Sequence, residues 1–377
     1  MNRTIGSALG VAAAVAVGGT LAAWAQSAAP AASASEEYLL LGDATRGAGE
    51  PMIAVDPTNP KNIVAVAMGN LQRVGDAPAT ANMTDAYHAA ANSTITWLGV
   101  THDGGIHWKI GELPILSGGY TRCPDSFVSV TADGTFLAGC EPRETTGEFF
   151  GTSALVISTD KGDTWSKAVD LISSYGAKRF AAGLKPRIGG NSPWDRPFLY
   201  IDDSDGTVYA QAGGGETDVD QEPGHYRTQS YLTASTDHGR SFGTIYAWDS
   251  KEYPQMGRGR MTAGHGVVAV AYVARSAPGA GSAACPCVVM GVSRDHGASF
   301  SYHVLPAMPA PPAAPRGGRG PGGGPGNGGV AGLAADPSRA GRIAIMTGSA
   351  TEYRVAMSED YGQTWSGFVS AGRTPGA

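Results

Sequence analysis

The sequence predicts an all-β chain that folds as a β-propeller of four-stranded antiparallel blades. Three observations predict it. One eight-residue motif occurs five times, a second apolar hairpin pattern precedes each copy, and no long helical periodicity stands out beyond the N-terminus.

The motif is S/T-x-D-x-G-x-x-W/F. Its copies are THDGGIHW from Thr101, STDKGDTW from Ser158, STDHGRSF from Ser235, SRDHGASF from Ser293 and SEDYGQTW from Ser358. The aspartates Asp103, Asp160, Asp237, Asp295 and Asp360 are spaced by 57, 77, 58 and 65 residues, a span that suits one blade per copy. Each residue type has a local reason. The aspartate accepts backbone N–H groups of its own turn, the glycine allows a positive φ, and the hydroxyl adds a second local bond. The terminal Trp or Phe opens the next strand and buries a ring. Local bonding explains these aspartates, so they are read as structural rather than catalytic.

The hairpins ahead of the boxes run from Met52 to Ala67, Phe127 to Cys140, Phe198 to Ala212, Met261 to Ala274 and Leu333 to Gly348. The first and last share a D-P-x-x-x-x-x-I turn, and their near-continuous apolar runs suit strands buried on both faces. Each unit then reads strand A, turn, strand B, loop, strand C, Asp-box turn, strand D. The A–B and C–D turns are short and share one face. The B–C and D–A connections share the other and are often long, and long loops on a rigid scaffold are where binding sites sit.

Residues 1–25 read as a signal peptide. Arg3 gives a positive start, an apolar run follows from Ala8 to Ala23, and Ala23-Trp24-Ala25 fits a small-x-small cleavage site. Residues 26–37 form a flexible Ala/Ser linker, and 38–377 a single propeller domain. Within it, 306–329 is almost all Pro, Gly, Ala and Arg and reads as a disordered insertion. A secreted or periplasmic location follows, with no stable membrane anchor after cleavage.

The chain has 377 residues and 55 glycines, as many short strands joined by tight turns require. A net charge of -6 gives no electrostatic case for nucleic acid. Export permits disulfides. Cys123 and Cys140 flank a hairpin turning at Asp133-Gly134, so a bridge is expected there. Cys285 and Cys287 are too close for an unstrained bridge, and oxidised, reduced or differently paired states stay open. No metal set and no cofactor is expected. The His residues of the boxes lack neighbouring ligands, and no GxSxG, HExxH, Walker A or Rossmann pattern occurs.

Aligning the repeats places Glu50, Asp125, Asp195 with Arg196, and Arg258 with Arg260 at the starts of the innermost strands, around the axial mouth. Mixed carboxylates and guanidiniums there suit a carbohydrate or other polar small-molecule ligand. The B–C loops add Glu141 and Arg143, Glu222 with His225 and Tyr226, and Glu352 with Tyr353 and Arg354. Glycoside hydrolysis needs an acid and a base or nucleophile, and a Tyr–Glu pair is one variant. The catalytic candidates are therefore Glu50, Asp125, Asp195, Glu222, Tyr226 and Tyr353. The substrate-binding candidates are Arg196, Arg258, Arg260, Arg143 and Arg354. A non-catalytic carbohydrate- or protein-binding propeller is the alternative, and a polysaccharide lyase using His225 with Tyr226 is another.

The five boxes resemble the repeat of the sialidase-like (BNR/Asp-box) superfamily, over roughly Glu50 to Ser370. The resemblance implies a sialidase-like propeller, five- or six-bladed here, since sialidases have six blades and five complete units are found. It also implies a glycosidase acting on a sugar or uronate. Sialidases open the first inner strand with Arg-Ile-Pro, whereas this chain reads Gly49-Glu50-Pro51-Met52. An acid replaces an arginine of the carboxylate-binding triad, which argues against sialic acid cleavage.

Overall fold

A computed structural model describes residues 48–70, 94–115, 123–142, 152–173, 181, 195–217, 226–274, 287–305, 329–348 and 352–373. All of them lie in the unit Leu40–Ala377. The expected signal peptide and linker, and residues 306–328 of the expected insertion, fall outside the described residues.

Among the described residues, five four-stranded antiparallel sheets follow one another along the chain. Blade 1 has β1 (Ala48–Val55), β2 (Ile63–Asn70), β3 (Thr94–Thr101) and β4 (Lys109–Glu112). Blade 2 has β5 (Phe127–Val130), β6 (Phe136–Cys140), β7 (Thr152–Ser158) and β8 (Val169–Ser173). Blade 3 has β9 (Asp195–Asp202), β10 (Thr207–Thr217), β11 (Tyr226–Ser235) and β12 (Tyr246–Ala247). Blade 4 has β13 (Gln255–Gly264), β14 (Val267–Ala274), β15 (Cys287–Ser293) and β16 (Ser301–Val304). Blade 5 has β17 (Val330–Ala335), β18 (Ile343–Gly348), β19 (Glu352–Ser358) and β20 (Val369–Arg373). Each sheet pairs its strands in chain order, and β1, β5, β9, β13 and β17 pack on one another in succession. That is a β-propeller with the first strand of each blade on the inside.

The Asp boxes close every C–D turn as their chemistry requires. Ser158 Oγ donates to Asp160 Oδ1 at 2.8 Å and accepts from Gly162 N at 2.8 Å, while Asp160 Oδ1 accepts Thr164 N at 2.9 Å. The same net recurs with Ser235 and Asp237, Ser293 and Asp295, and Ser358 and Asp360. These boxes also join blades. The absent side chain at Gly162 leaves room for Val100 and Val64 of blade 1, Gly239 for Leu137 of blade 2, Gly297 for Leu232 of blade 3, and Gly362 for Met290 of blade 4. A Cβ at any of these glycines meets its neighbour at 2.4–2.9 Å, closer than side chains tolerate.

Buried side chains fall into layers between successive blades. Val64, Val66, Leu98 and Val100 pack on Val128, Phe136 and Val156. Leu137 and Leu155 pack on Leu199 and Val208, Tyr209 and Leu232 on Trp248 and Val270, and Met290 and Val288 on Ile343 and Ile345. Fully burying one such aliphatic or aromatic side chain stabilises by about 1.5–3 kcal/mol.

Two expectations change. The apolar runs of blades 1 and 5 are buried on both faces only in part: in β2 Val64 and Val66 on one face and Ala65 and Ala67 on the other are all buried, but Ile53 and Val55 of β1 are 60% and 44% exposed, and β18 mixes buried with half-buried residues. Each of these blades has a neighbour on one side only among the described residues. The loop expected between strands B and C of blade 3 is largely strand, because the β10–β11 ladder continues to Thr217 opposite Tyr226.

Candidate functional site

Strand starts A and C and strand ends B and D meet at one end of every blade, opposite the Asp boxes. Four of the inner strands are irregular there, and always in the same sense. Gly49 and Met52 of β1 face Met68 and Val66, so β1 carries an extra residue across Glu50-Pro51. Asp195 and Phe198 of β9 face Gly213 and Gln211, an extra residue across Arg196-Pro197. Met256 and Arg260 of β13 face Val273 and Ala271, with extra chain across Gly257-Arg258-Gly259. Val330 and Gly332 of β17 face Thr347 and Met346, with Ala331 between them. Bulges bend a strand and re-aim side chains, and they are common beside active sites. Glu50, Arg196 and Arg258, chosen from sequence, occupy three of the four.

Backbone conformation singles out two residues more. Among the described residues, seven non-glycine residues have positive φ. Lys161, His238, His296 and Tyr361 sit in Asp-box turns and His265 in an A–B turn, where the turn itself demands that conformation. Glu50 and Asp125, both at φ 50, sit in no such turn: one lies in the β1 bulge and the other leads into β5. Both expose their side chains at least in part, and β1 packs on β5.

Around Asp125 the chain is tightly held. Cys123 and Cys140 form the expected disulfide, with Cα atoms 5.4 Å apart. Glu141 N donates to Pro124 O at 2.9 Å, which fixes Glu141 beside Asp125, and the Glu141 side chain is buried. Ser126 Oγ and, in blade 3, Gln211 Oε1 are buried with no hydrogen-bond partner among the described residues. Buried polar atoms are otherwise satisfied by protein, water or ligand.

Arg260 of β13 faces blade 5. Its Nε donates to Ala331 O of the β17 bulge at 3.3 Å, and one Nη to Gly259 O at 3.2 Å. Tyr200 of blade 3 lies near it. Burial raises the Tyr200 pKa, and the Arg260 charge opposes that shift. In blade 5, Arg354 Nε donates to Glu352 Oε2 at 2.8 Å. Hydrogen bonds from Ser370 and Arg354 hold the Glu352 carboxyl below its ordinary range.

The remaining candidates divide by placement. Asp195, Arg196, Arg258 and Tyr226 lie in β9, β13 and β11 by backbone, while Arg143, Glu222 and His225 lie outside the described residues. The expected pairing of Tyr353 with Glu352 does not hold. They are successive residues of β19, so their side chains leave opposite faces, and Glu352 turns instead to Arg354 two residues on. Glu141 and Gln211 gain importance only from burial, which no motif signals. Cys287 also forms a disulfide, and Cys285 lies outside the described residues. Two box histidines serve structural bonds, His107 Nδ1 with Asp103 Oδ2 of its own box at 2.7 Å and His296 Nδ1 with Tyr209 Oη of blade 3 at 3.0 Å.

Two grooves open at the Asp-box end. One of about 470 Å³ lies between blades 4 and 5, over Arg294, His303 and Tyr361, and one of about 360 Å³ occupies the equivalent place between blades 3 and 4. Their recurrence at successive blade junctions marks them as a product of the repeat.

The class defined by the fold is an all-β propeller of four-stranded antiparallel blades. No family model and no curated protein matches the chain. Among solved structures it is similar to a protein of unknown function from Dyadobacter fermentans, at 13% identity and TM-score 0.49, over 87% of this chain and 84% of that one. It is similar to a Penicillium chrysogenum alpha-L-arabinanase complexed with arabinobiose, at 15% identity and TM-score 0.46, over 87% and 86%. A Hadza microbial sialidase aligns at 16% identity and TM-score 0.41, over 75% of this chain and 56% of that one. The chain thus spans little more than half of that sialidase. At these identities the likeness is one of fold.

Proposed function

We propose that the chain is an exported glycan-active propeller, a glycoside hydrolase acting on a sugar or uronate at the axial mouth. One observation carries the reading: Glu50 and Asp125 hold positive φ outside any turn, on adjoining inner strands at the mouth. Strain of that kind costs on the order of 1–3 kcal/mol per residue and persists where function holds it. Two carboxylates are the equipment for glycoside cleavage, one as acid and the other as base or nucleophile. The backbone-held Arg260 supplies a cation for an anionic sugar. Glu50 stands where sialidases carry an arginine of the carboxylate-binding triad, so a neutral sugar fits that position better than sialic acid, and a uronate would depend on a cation elsewhere at the mouth, such as Arg260.

The test is a turnover screen of the purified protein on aryl glycosides, a sialoside included, and on uronate polymers. Hydrolysis of a non-sialic substrate supports the proposal. Glycan capture without turnover would move the chain to the binding class, and turnover of the sialoside alone would refute the substrate assignment.

A further inference from the structure

The two grooves at the Asp-box end share a shape but not a lining. Between blades 3 and 4, Ala234, Thr236, Ser241 and Phe242 face His296 of the next box. Between blades 4 and 5, Val292, Arg294, Ser299 and Phe300 stand at the same motif positions and face Tyr361 of the next box. The repeat therefore supplies its own control. Ser241 and Ser299 are alike because each bonds the aspartate of its own box. Arg294 in place of Thr236, and Tyr361 in place of His296, occupy positions that the motif leaves open.

Those two residues act together. The Arg294 guanidinium lies over the Tyr361 ring, 4.5 Å from its centroid. A guanidinium over a ring is held through its charge and keeps its N–H groups for other partners. No acid takes them: Arg294 is exposed and forms no ion pair among the described residues. Asp295 also lines the groove, but it is committed to its own turn. Its Oδ1 accepts from Ser293 Oγ at 2.7 Å and Ser299 N at 2.9 Å, and its Oδ2 accepts from Ser299 Oγ at 2.6 Å. Glu359 of the fifth box is bound to Arg339 at 3.2 Å and to Arg342 at 2.9 Å. On the blade 4 wall, Tyr302 and Val304 of β16 pack into the layer shared with blade 3, so Ser301 and His303 leave the opposite face and line the groove. On the blade 5 wall, Gln363 Nε2 donates to Asp360 O at 3.0 Å, which leaves Oε1 as an acceptor.

We infer that this groove is a second ligand site and that it takes a uronate unit of an acidic glycan, with the carboxylate on Arg294 and the ring hydroxyls on His303, Ser301 and Gln363. The volume of about 470 Å³ is that of a small-molecule site. The chemistry selects the class. A planar carboxylate matches two parallel N–H groups of a guanidinium. Imidazole, hydroxyl and amide groups match the donors and acceptors around a sugar ring. An acidic peptide presents several carboxylates, whereas one arginine lines the groove. The site lies at the end of the propeller away from the mouth, so it holds a glycan whether or not the mouth cleaves one.

Trigalacturonate is the probe and its methyl ester the control. Calorimetry reads the affinity, and hydrogen-exchange mass spectrometry reads the place. The acid should bind and should slow exchange in β15, β16 and the fifth box. The methyl ester keeps the rings and loses the charge, and it should bind at least about tenfold more weakly. Arg294→Thr, which copies the sister groove, should lose as much for the acid, with the melting point unchanged because the side chain is exposed. No binding of the acid at millimolar concentration would overturn the inference. So would equal binding by the ester, by tetraglutamate or by Arg294→Thr. Slowed exchange confined to the strands around Glu50, Asp125 and Arg260 would overturn it too, and would leave the reading of the mouth standing.

Discussion

Lys161 of the second Asp box reaches across a blade boundary to Asp56, with Nζ 3.2 Å from Oδ2. Asp56 lies in the A–B turn of blade 1 and its side chain is fully buried. It also accepts from Thr58 N at 2.8 Å and from Asn62 Nδ2 at 3.0 Å. Lys161 therefore completes a carboxylate already held by its own turn. Asp202 does the same for blades 3 and 4, accepting His265 N at 3.0 Å and Gly266 N at 2.6 Å.

Replacing the cation alone leaves a buried charge short of one partner. Lys161→Met should cost about 2 kcal/mol of unfolding free energy, a value reduced by the partial exposure of the lysine. Urea titration measures it. The double variant Lys161→Met with Asp56→Asn should recover part of the loss, because the buried charge is then gone.

Glycines at one motif position should differ in cost according to what lies beyond them. Gly162 and Gly105 have similar φ, 102° and 96°. A Cβ at Gly162 meets Val100 at 2.9 Å, whereas at Gly105 the nearest atom is 3.6 Å away. Gly105→Ala should cost about 1 kcal/mol from backbone strain, and Gly162→Ala about 2–4 kcal/mol from strain and overpacking together. Equal losses in chemical denaturation would contradict the packing account.

Acid should weaken the blades through their boxes. Hydrogen bonds from Thr164 hold the Asp160 pKa at about 2, and bonds from Thr364 hold Asp360 there, against an ordinary 3.8. At Asp237 burial pushes upward but is outweighed by bonds from Ser235 and Ser241, and the value is again about 2. A depressed folded pKa gives stability that is present above the unfolded value and lost as pH falls through the folded one. The melting temperature should therefore be level above about pH 5 and fall between about pH 4 and 2. Asp160→Asn should lower the plateau and shallow that fall.

The Cys123–Cys140 bond closes a loop with a sequence separation of 17. Removing it through paired serine substitutions should cost about 3 kcal/mol. Because it braces the start of β5 beside Asp125, ligand binding should weaken along with stability, and titration calorimetry can follow both.

The repeat made most of the fold legible. Each box carries its own turn in its residue types, so five boxes define five sheets and their strand order. Burial at blades 1 and 5 was legible only in part: β2 is covered on both faces as its apolar run suggests, while β1 is not, and an apolar strand looks the same in either case. The mouth was legible in part. Repeat alignment proposes Glu50, Asp125, Arg196, Arg258 and Arg260 as its candidates, but the bulges around three of them depend on pairing with β2, β10 and β14, which no local pattern reports. Glu352 with Tyr353 failed for the opposite reason. Adjacency in sequence suggested a pair, and strand geometry separates them.

The most direct measurement compares a mouth carboxylate with a box carboxylate on whichever glycoside the screen finds to be cleaved. Glu50→Gln and Asp125→Asn should each lower kcat by about 10²–10⁴-fold with little change in melting temperature. Asp160→Asn should do the reverse, lowering the melting temperature and sparing kcat. Full activity in both mouth variants would contradict a catalytic site at the axial mouth.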